Sequence, residues 1–90
     1  MRICILDGNL ITDKKSLHDT LSASLLLPDW YGRNLDALYD CLTDIQEETE
    51  IQILNPENLE AHLGSYALSL ARTIYNASQE NTRINYNYSS

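Results

Sequence analysis

Three carboxylates recur at intervals of four residues: Asp36, Asp40 and Asp44. Immediately before them stand Trp30-Tyr31-Gly32 and Asn34, an aromatic pair, a glycine and a helix-capping side chain. Four-residue spacing on a helix stacks the acids within an arc of about 80° on one face. Two chemistries suit such a row. Paired carboxyls can share general acid and base work, or they can accept hydrogen bonds from a cationic partner, arginine above all, in a planar two-pronged fit. Asp36 and Asp40 on adjacent turns would stand roughly 5–7 Å apart, overlapping the spacing of glycosidase pairs. Those pairs flank a substrate from opposite walls of a cleft, however, and here both acids stand on one convex helix. A binding role is therefore expected, and no catalytic activity.

The energetics of the row point the same way. Like charges four apart repel by a few tenths of a kcal/mol per pair, and only Asp36 is offset by the positive end of the helix dipole. A helix selected for stability alone would carry a lysine at one of these positions. An ordinary solvated acidic face remains the plain alternative on this argument. The surrounding charge sharpens it: seven acids lie between Asp29 and Glu50 against the single base Arg33, a net of −6. The whole chain carries −7 over 90 residues, so nearly all the excess sits in one quarter of it. Such a surface argues against direct nucleic-acid binding and for a basic partner.

The elements that must hold these residues are legible from periodicity. Ninety residues, 43% hydrophobic and 21% charged, suit one globular domain over 1–90. Ile3-Cys4-Ile5-Leu6 is a strand apolar on both faces, which suits the centre of a sheet covered by helices, and Asp7-Gly8-Asn9 ends it. Asp13 caps a first helix with Leu17, Leu21 and Leu25 on one face, closing before Pro28. Asn34 caps a second, running to about Thr43 or Asp44, with Leu35, Leu38, Cys41, Leu42 and Ile45 toward the core. Arg33 joins the acidic arc if it lies near the start of that helix. Ile51 to Leu54 is a strand, Asn55-Pro56 starts a helix with Asn55 as cap, and helical periodicity resumes around Tyr66, Leu70 and Ile74 to near Gln79. Ile84 to Tyr88 alternates as an edge strand does. The order β-α-α-β-α-α-β, with helices between every pair of strands, predicts a three-stranded parallel α/β sheet packed against about four helices, the first strand in the middle.

The remaining polar residues carry little chemistry. Cys4 and Cys41 show neither metal nor redox spacing and are expected as reduced core thiols in a cytoplasmic protein; no metal or cofactor is expected. No secretory leader or membrane span is evident. His18 is expected to pack beside Leu17 and Leu21, and His62 to lie near a helix end. Tyr66, Tyr75, Tyr86 and Tyr88 are expected in core or sheet packing with their hydroxyls at the surface. A phosphate-accepting receiver domain would need a longer fold, more strands and a lysine from a later strand. An acidic mimic of nucleic acid shares the charge logic but has no need of the Trp30-Tyr31-Gly32 loop; it is the main alternative.

The stretch Leu27-Pro28-Asp29-Trp30-Tyr31-Gly32-Arg33-Asn34-Leu35-Asp36-Ala37-Leu38-Tyr39-Asp40-Cys41-Leu42-Thr43 closely resembles the corresponding block of the barstar family, intracellular inhibitors of barnase-like microbial ribonucleases. The pattern L-P-x-aromatic-Y-G-x-N-L-D-A-L-aromatic-D-C-L-T is long and specific. The resemblance extends more weakly over the whole chain, including the Leu17-His18 pair. It implies the same three-stranded fold and inhibition by plugging the basic active site of a guanyl-preferring ribonuclease, one to one, by a protein that is a monomer when free. By position, Asp40 would occupy the place of the scissile phosphate and Asp36 would pair with a neighbouring base. Trp30 would pack over the enzyme's catalytic histidine, Gly32 would let the loop backbone approach, and Asn34 would cap the helix and offer hydrogen bonds. Tyr31, Tyr39, Thr43, Asp44 and Asn76 are carried over as further partner-binding positions. Three positions depart from the family pattern: Arg33 stands in place of an acid, Ile45 in place of a tryptophan, and Asn76 in place of a glutamate. They alter the rim and leave the central plug as it is.

Overall fold

A computed structural model describes residues 1–89. Its order is β1 (Arg2–Asp7), α1 (Lys14–Leu25), α2 (Leu35–Asp44), β2 (Thr49–Leu54), α3 (Pro56–Leu63), α4 (Ser65–Glu80) and β3 (Ile84–Ser89). The three strands form one parallel sheet in the order β1-β2-β3. The α/β class, the strand and helix counts and the element order are those predicted from the sequence.

The position of the first strand is corrected. β2 is central and β1 lies at an edge, with Cys4 opposite Ile51 and Ile51 opposite Tyr86. The handedness of crossovers ties this strand order to the side on which the helices lie. Two right-handed crossovers that step in the same direction, β1 to β2 to β3, lay all their helices on one face of the sheet. A central β1 would have needed steps in opposite directions and helices on both faces. One sheet face is accordingly uncovered, and Ile3 and Ile5 remain 49% and 46% exposed on it. The apolar run that looked two-sided is buried on one side only, through Cys4 and Leu6.

The covered face builds the core. Cys4, Leu6, Ile51, Ile53 and Ile84 from the sheet meet Leu17, Leu21 and Leu25 of α1, Leu38 and Leu42 of α2, and Leu70, Ile74 and Ala77 of α4. Cys4 and Cys41 are free and buried. Burial pushes the Cys4 thiol up to about 11, a hydrogen bond with Ser24 notwithstanding, so it is chemically quiet at neutral pH. Local signals set the helix ends. Asp13 accepts from the Ser16 amide at 2.8 Å and Ser16 returns a contact to the Asp13 amide, a reciprocal capping box.

Asn55 departs from expectation. Its side chain makes no cap bond to α3; its backbone is left-handed, φ 51°, and its side-chain Nδ2 donates to Asp7 Oδ1 at 2.9 Å. That bond ties the end of β1 to the start of α3. Gly8 lies beneath it, where a Cβ would meet the Asn55 carbonyl oxygen at 2.2 Å and the Leu59 nitrogen at 2.5 Å. Only glycine lets these two backbones approach so closely.

Candidate binding face

Helix α2 presents the acids as their spacing requires. Leu38, Cys41 and Leu42 are buried beneath it, and Leu35 and Ile45 pack partly buried at its two ends. Asp36, Asp40 and Asp44 are exposed on the opposite side. None of the three makes an ion pair or a side-chain hydrogen bond among the described residues, whereas Glu47 pairs with Arg2 at 3.5 Å and Glu50 accepts from Gln52 and Asn87. The helical acids are thus free to meet a cation from outside. Their field reaches inward: the Cys41 thiol is raised by burial first and then by Asp44 and Asp40.

Both ends of α2 are fastened. At its start Asn34 Oδ1 accepts from the Ala37 amide at 2.8 Å, and Asn34 Nδ2 donates to the Gly32 carbonyl at 3.2 Å. The capping role read from the sequence is therefore present, and it uses both halves of the amide. Gly32 makes room for it, because a Cβ there would lie 3.2 Å from Asn34 Nδ2. At its end the buried Asn81 donates to the carbonyls of Leu42 and Ile45, both at 2.9 Å, and fills the last turn from the end of α4. That contact has no local sequence signal, since Asn81 lies 39 residues from Leu42.

The loop before α2 sends its two aromatic residues in opposite directions. A turn closed by the Tyr31 amide donating to the Pro28 carbonyl at 2.9 Å leaves Trp30 78% exposed and Tyr31 buried. Tyr31 Oη lies 2.6 Å from His18 Nδ1, and Tyr66 Oη lies 2.8 Å from His18 Nε2. One hydroxyl donates to the imidazole and the other accepts from it, so a neutral His18 satisfies both. Burial chiefly, with Arg33 and Lys14 adding to it against an opposing pull from Asp19, holds the His18 pKa below its ordinary value. The packing expected of His18 is observed, with the residue 2% exposed. The Tyr66 hydroxyl, expected at the surface, instead points inward, because the buried imidazole needs a second partner.

Arg33 is also corrected. It does not join the acidic arc. Its Nη2 donates to Asp19 of α1 and to the Lys15 carbonyl, the latter at 3.3 Å. Both ends of the loop are left-handed at non-glycine residues, Leu26 at φ 53° and Arg33 at φ 55°. Each such residue costs about 1–2 kcal/mol, and the tether to α1 offsets that cost at Arg33. Sequence reasoning missed Asp19; its only signal was a Lys15–Asp19 spacing typical of any surface helix, seen here as a 2.9 Å ion pair.

Tyr39 and Thr43 are partly exposed on α2, and the Thr43 hydroxyl donates back to the Asp40 carbonyl at 3.0 Å. Asn76 is exposed on α4, the helix packed against α2. Beside the loop, Pro28, Trp30, Cys41 and Ile45 border a shallow cleft of about 190 Å³, with Asp44 at its edge. Among the described residues no three His, Cys, Asp or Glu side chains are grouped to hold a metal ion, and no helix is long and apolar enough to cross a membrane.

Two comparisons bear on this face. Residues 1–88 match the family described as Barstar (barnase inhibitor). A Bacillus subtilis (strain 168) protein titled "Putative ribonuclease inhibitor YrdF" is 42% identical over 81 residues, covering 89% of each chain. A match over nearly the full length, the loop and helix just described included, places this chain in the barstar family, a family of ribonuclease inhibitors.

Proposed function

We propose that this protein inhibits a guanyl-preferring microbial ribonuclease of the barnase class. It docks the exposed face of α2 and the Trp30 loop into the enzyme's basic cleft, in a one-to-one complex. The reading rests on one observation above others: three carboxylates without partners among the described residues stand in a row beside an exposed tryptophan, on a helix fastened at both ends. A ribonuclease cleft must be cationic to hold an RNA phosphate. A carboxylate offers it two acceptor oxygens in a plane, which arginine can grip with two parallel bonds. Asp40, at the middle of the face, takes the place of the scissile phosphate, and Asp36 pairs with a neighbouring base. Trp30 brings a large ring at low entropic cost, the residue type most often found at interface hot spots.

The face is prepared for this role before the enzyme arrives. Buried Leu38 and Leu42 anchor α2 from below, Asn34 and Asn81 hold its ends, and Tyr31 ties the loop to His18. Little ordering cost then falls on the binding step. Such an inhibitor acts in the cytoplasm, as an antitoxin or immunity protein guarding a cell against a nuclease made or met there. Titration of barnase and related guanyl-preferring enzymes in an RNA-cleavage assay tests the proposal. Inhibition of at least one, complete near equimolar protein, is expected; failure to inhibit any would refute it.

A further inference from the structure

Half of the chain's six lysines and arginines, Lys14, Lys15 and Arg33, meet at one corner, where the first turn of α1 abuts the end of the loop before α2. Asp19 holds two of them, taking Lys15 Nζ at 2.9 Å on Oδ2 and Arg33 Nη2 on Oδ1. Lys14 Nζ stands 4.4 Å above the Tyr66 ring. The other acid of this corner, Asp13, is committed to its cap on Ser16. In a chain of net charge −7, this is a cationic spot beside the acidic face.

Arg33 is more than a solvated surface base. Its backbone is left-handed and its guanidinium is fixed along one side by Asp19 and by the Lys15 carbonyl. The Nε donor and both donors on Nη1 have no acceptor among the described residues, and the side chain is 44% exposed. The entropy usually lost when a surface arginine is recruited has largely been given up already in folding. A planar, oriented and half-satisfied fork therefore stands one residue before the Asn34 cap, at the N-terminal end of the acidic row.

We infer that the binding face carries two signs in sequence, and that its ribonuclease presents an acidic side chain at the rim of the basic cleft, opposite Arg33. This deepens the proposed function and rests on it. Lys15 and Lys14 extend the same positive spot behind Arg33. An enzyme whose rim is basic at that point meets a fixed like charge and is rejected, so Arg33 sets specificity while Asp36 and Asp40 supply the common attraction to any cationic cleft. Asp19 is then a positioning residue, since it holds Arg33 without reaching the partner itself.

The test uses the most tightly inhibited enzyme of the guanyl-preferring panel. Arg33→Gln should weaken its binding roughly ten- to hundredfold, as expected for loss of a hydrogen-bonded charge, and Arg33→Glu should weaken it further. Each Asp and Glu on the rim of the enzyme is then changed in turn to Asn or Gln and combined with Arg33→Gln. One rim acid should couple, such that Arg33→Gln costs nothing more once that acid is gone. Loosening of the loop alone cannot produce such coupling to a single enzyme residue. If the wild-type chain inhibits no enzyme, the ribonuclease reading falls and takes this inference with it. If it inhibits one and Arg33→Gln binds within twofold of wild type, or no rim acid couples, this inference alone is overturned.

Discussion

Replacing Asp40 by alanine should make the protein more stable and a far poorer inhibitor. In the free protein its carboxylate has no partner among the described residues, and it lies between Asp36 and Asp44, one turn away on either side. Each like-charged pair at that spacing costs about 0.2–0.5 kcal/mol, so relief of two gives roughly 0.4–1 kcal/mol. The greater helix propensity of alanine adds up to about 0.7 kcal/mol in the same direction. In the complex the sign reverses. A carboxylate at the centre of the face is buried against enzyme cations, and removing it leaves them without a counter-charge, a loss of about 3–5 kcal/mol in binding. Asp36→Ala should gain less stability, because Asp36 relieves only one pair and forfeits about 0.3–1 kcal/mol of favourable interaction with the helix N-terminus. Asp44→Ala, at the rim, should cost at most about 1 kcal/mol in binding. Urea midpoints paired with calorimetric affinities for the three variants measure both signs. An Asp40→Ala protein that binds like wild type would refute the phosphate-mimic role. One that is clearly less stable than wild type would refute the claim that the carboxylate is unpartnered.

Association should slow about tenfold or more between 0.01 and 0.15 M salt, as the screening length falls from about 30 to about 8 Å, while dissociation changes little; a flat stopped-flow on-rate would mean that the acidic segment faces away from the enzyme. Stability should decline as pH falls below about 6.5, because the unfolded chain binds the His18 proton before the folded one does, and a His18→Gln variant should lose that slope between pH 7.5 and 5. Asp7, Asp13 and Asp19, whose hydrogen bonds hold their carboxyls below 3.8, add their own loss only at lower pH. Asn81→Ala should lower the denaturant midpoint by the equivalent of about 1–3 kcal/mol, since it leaves the buried end of α2 short of a donor; an unchanged midpoint would show that water replaces it.

What the sequence determined by itself was everything governed by short-range rules. The four-residue spacing of Leu17, Leu21 and Leu25 and that of Asp36, Asp40 and Asp44 fix which faces turn in and out, because helical geometry is the same wherever the helix lies. Asp13 and Asn34 cap their helices because the donors they satisfy are three residues away. The acidic row, the tryptophan beside it and the order of elements were legible for the same reason. Tertiary structure decided the rest. The central place of β2 follows from crossovers stepping the same way twice, which no local pattern records, and it leaves Ile3 and Ile5 on an open face. Trp30 and Tyr31 are adjacent aromatics of similar character, and only the Pro28–Tyr31 turn with His18 waiting inside sends one out and the other in. The direction of Arg33, toward Asp19 and away from the acids of the adjoining α2, depended on how α1 and the loop pack, because a long charged side chain goes to whichever opposite charge the fold brings nearest.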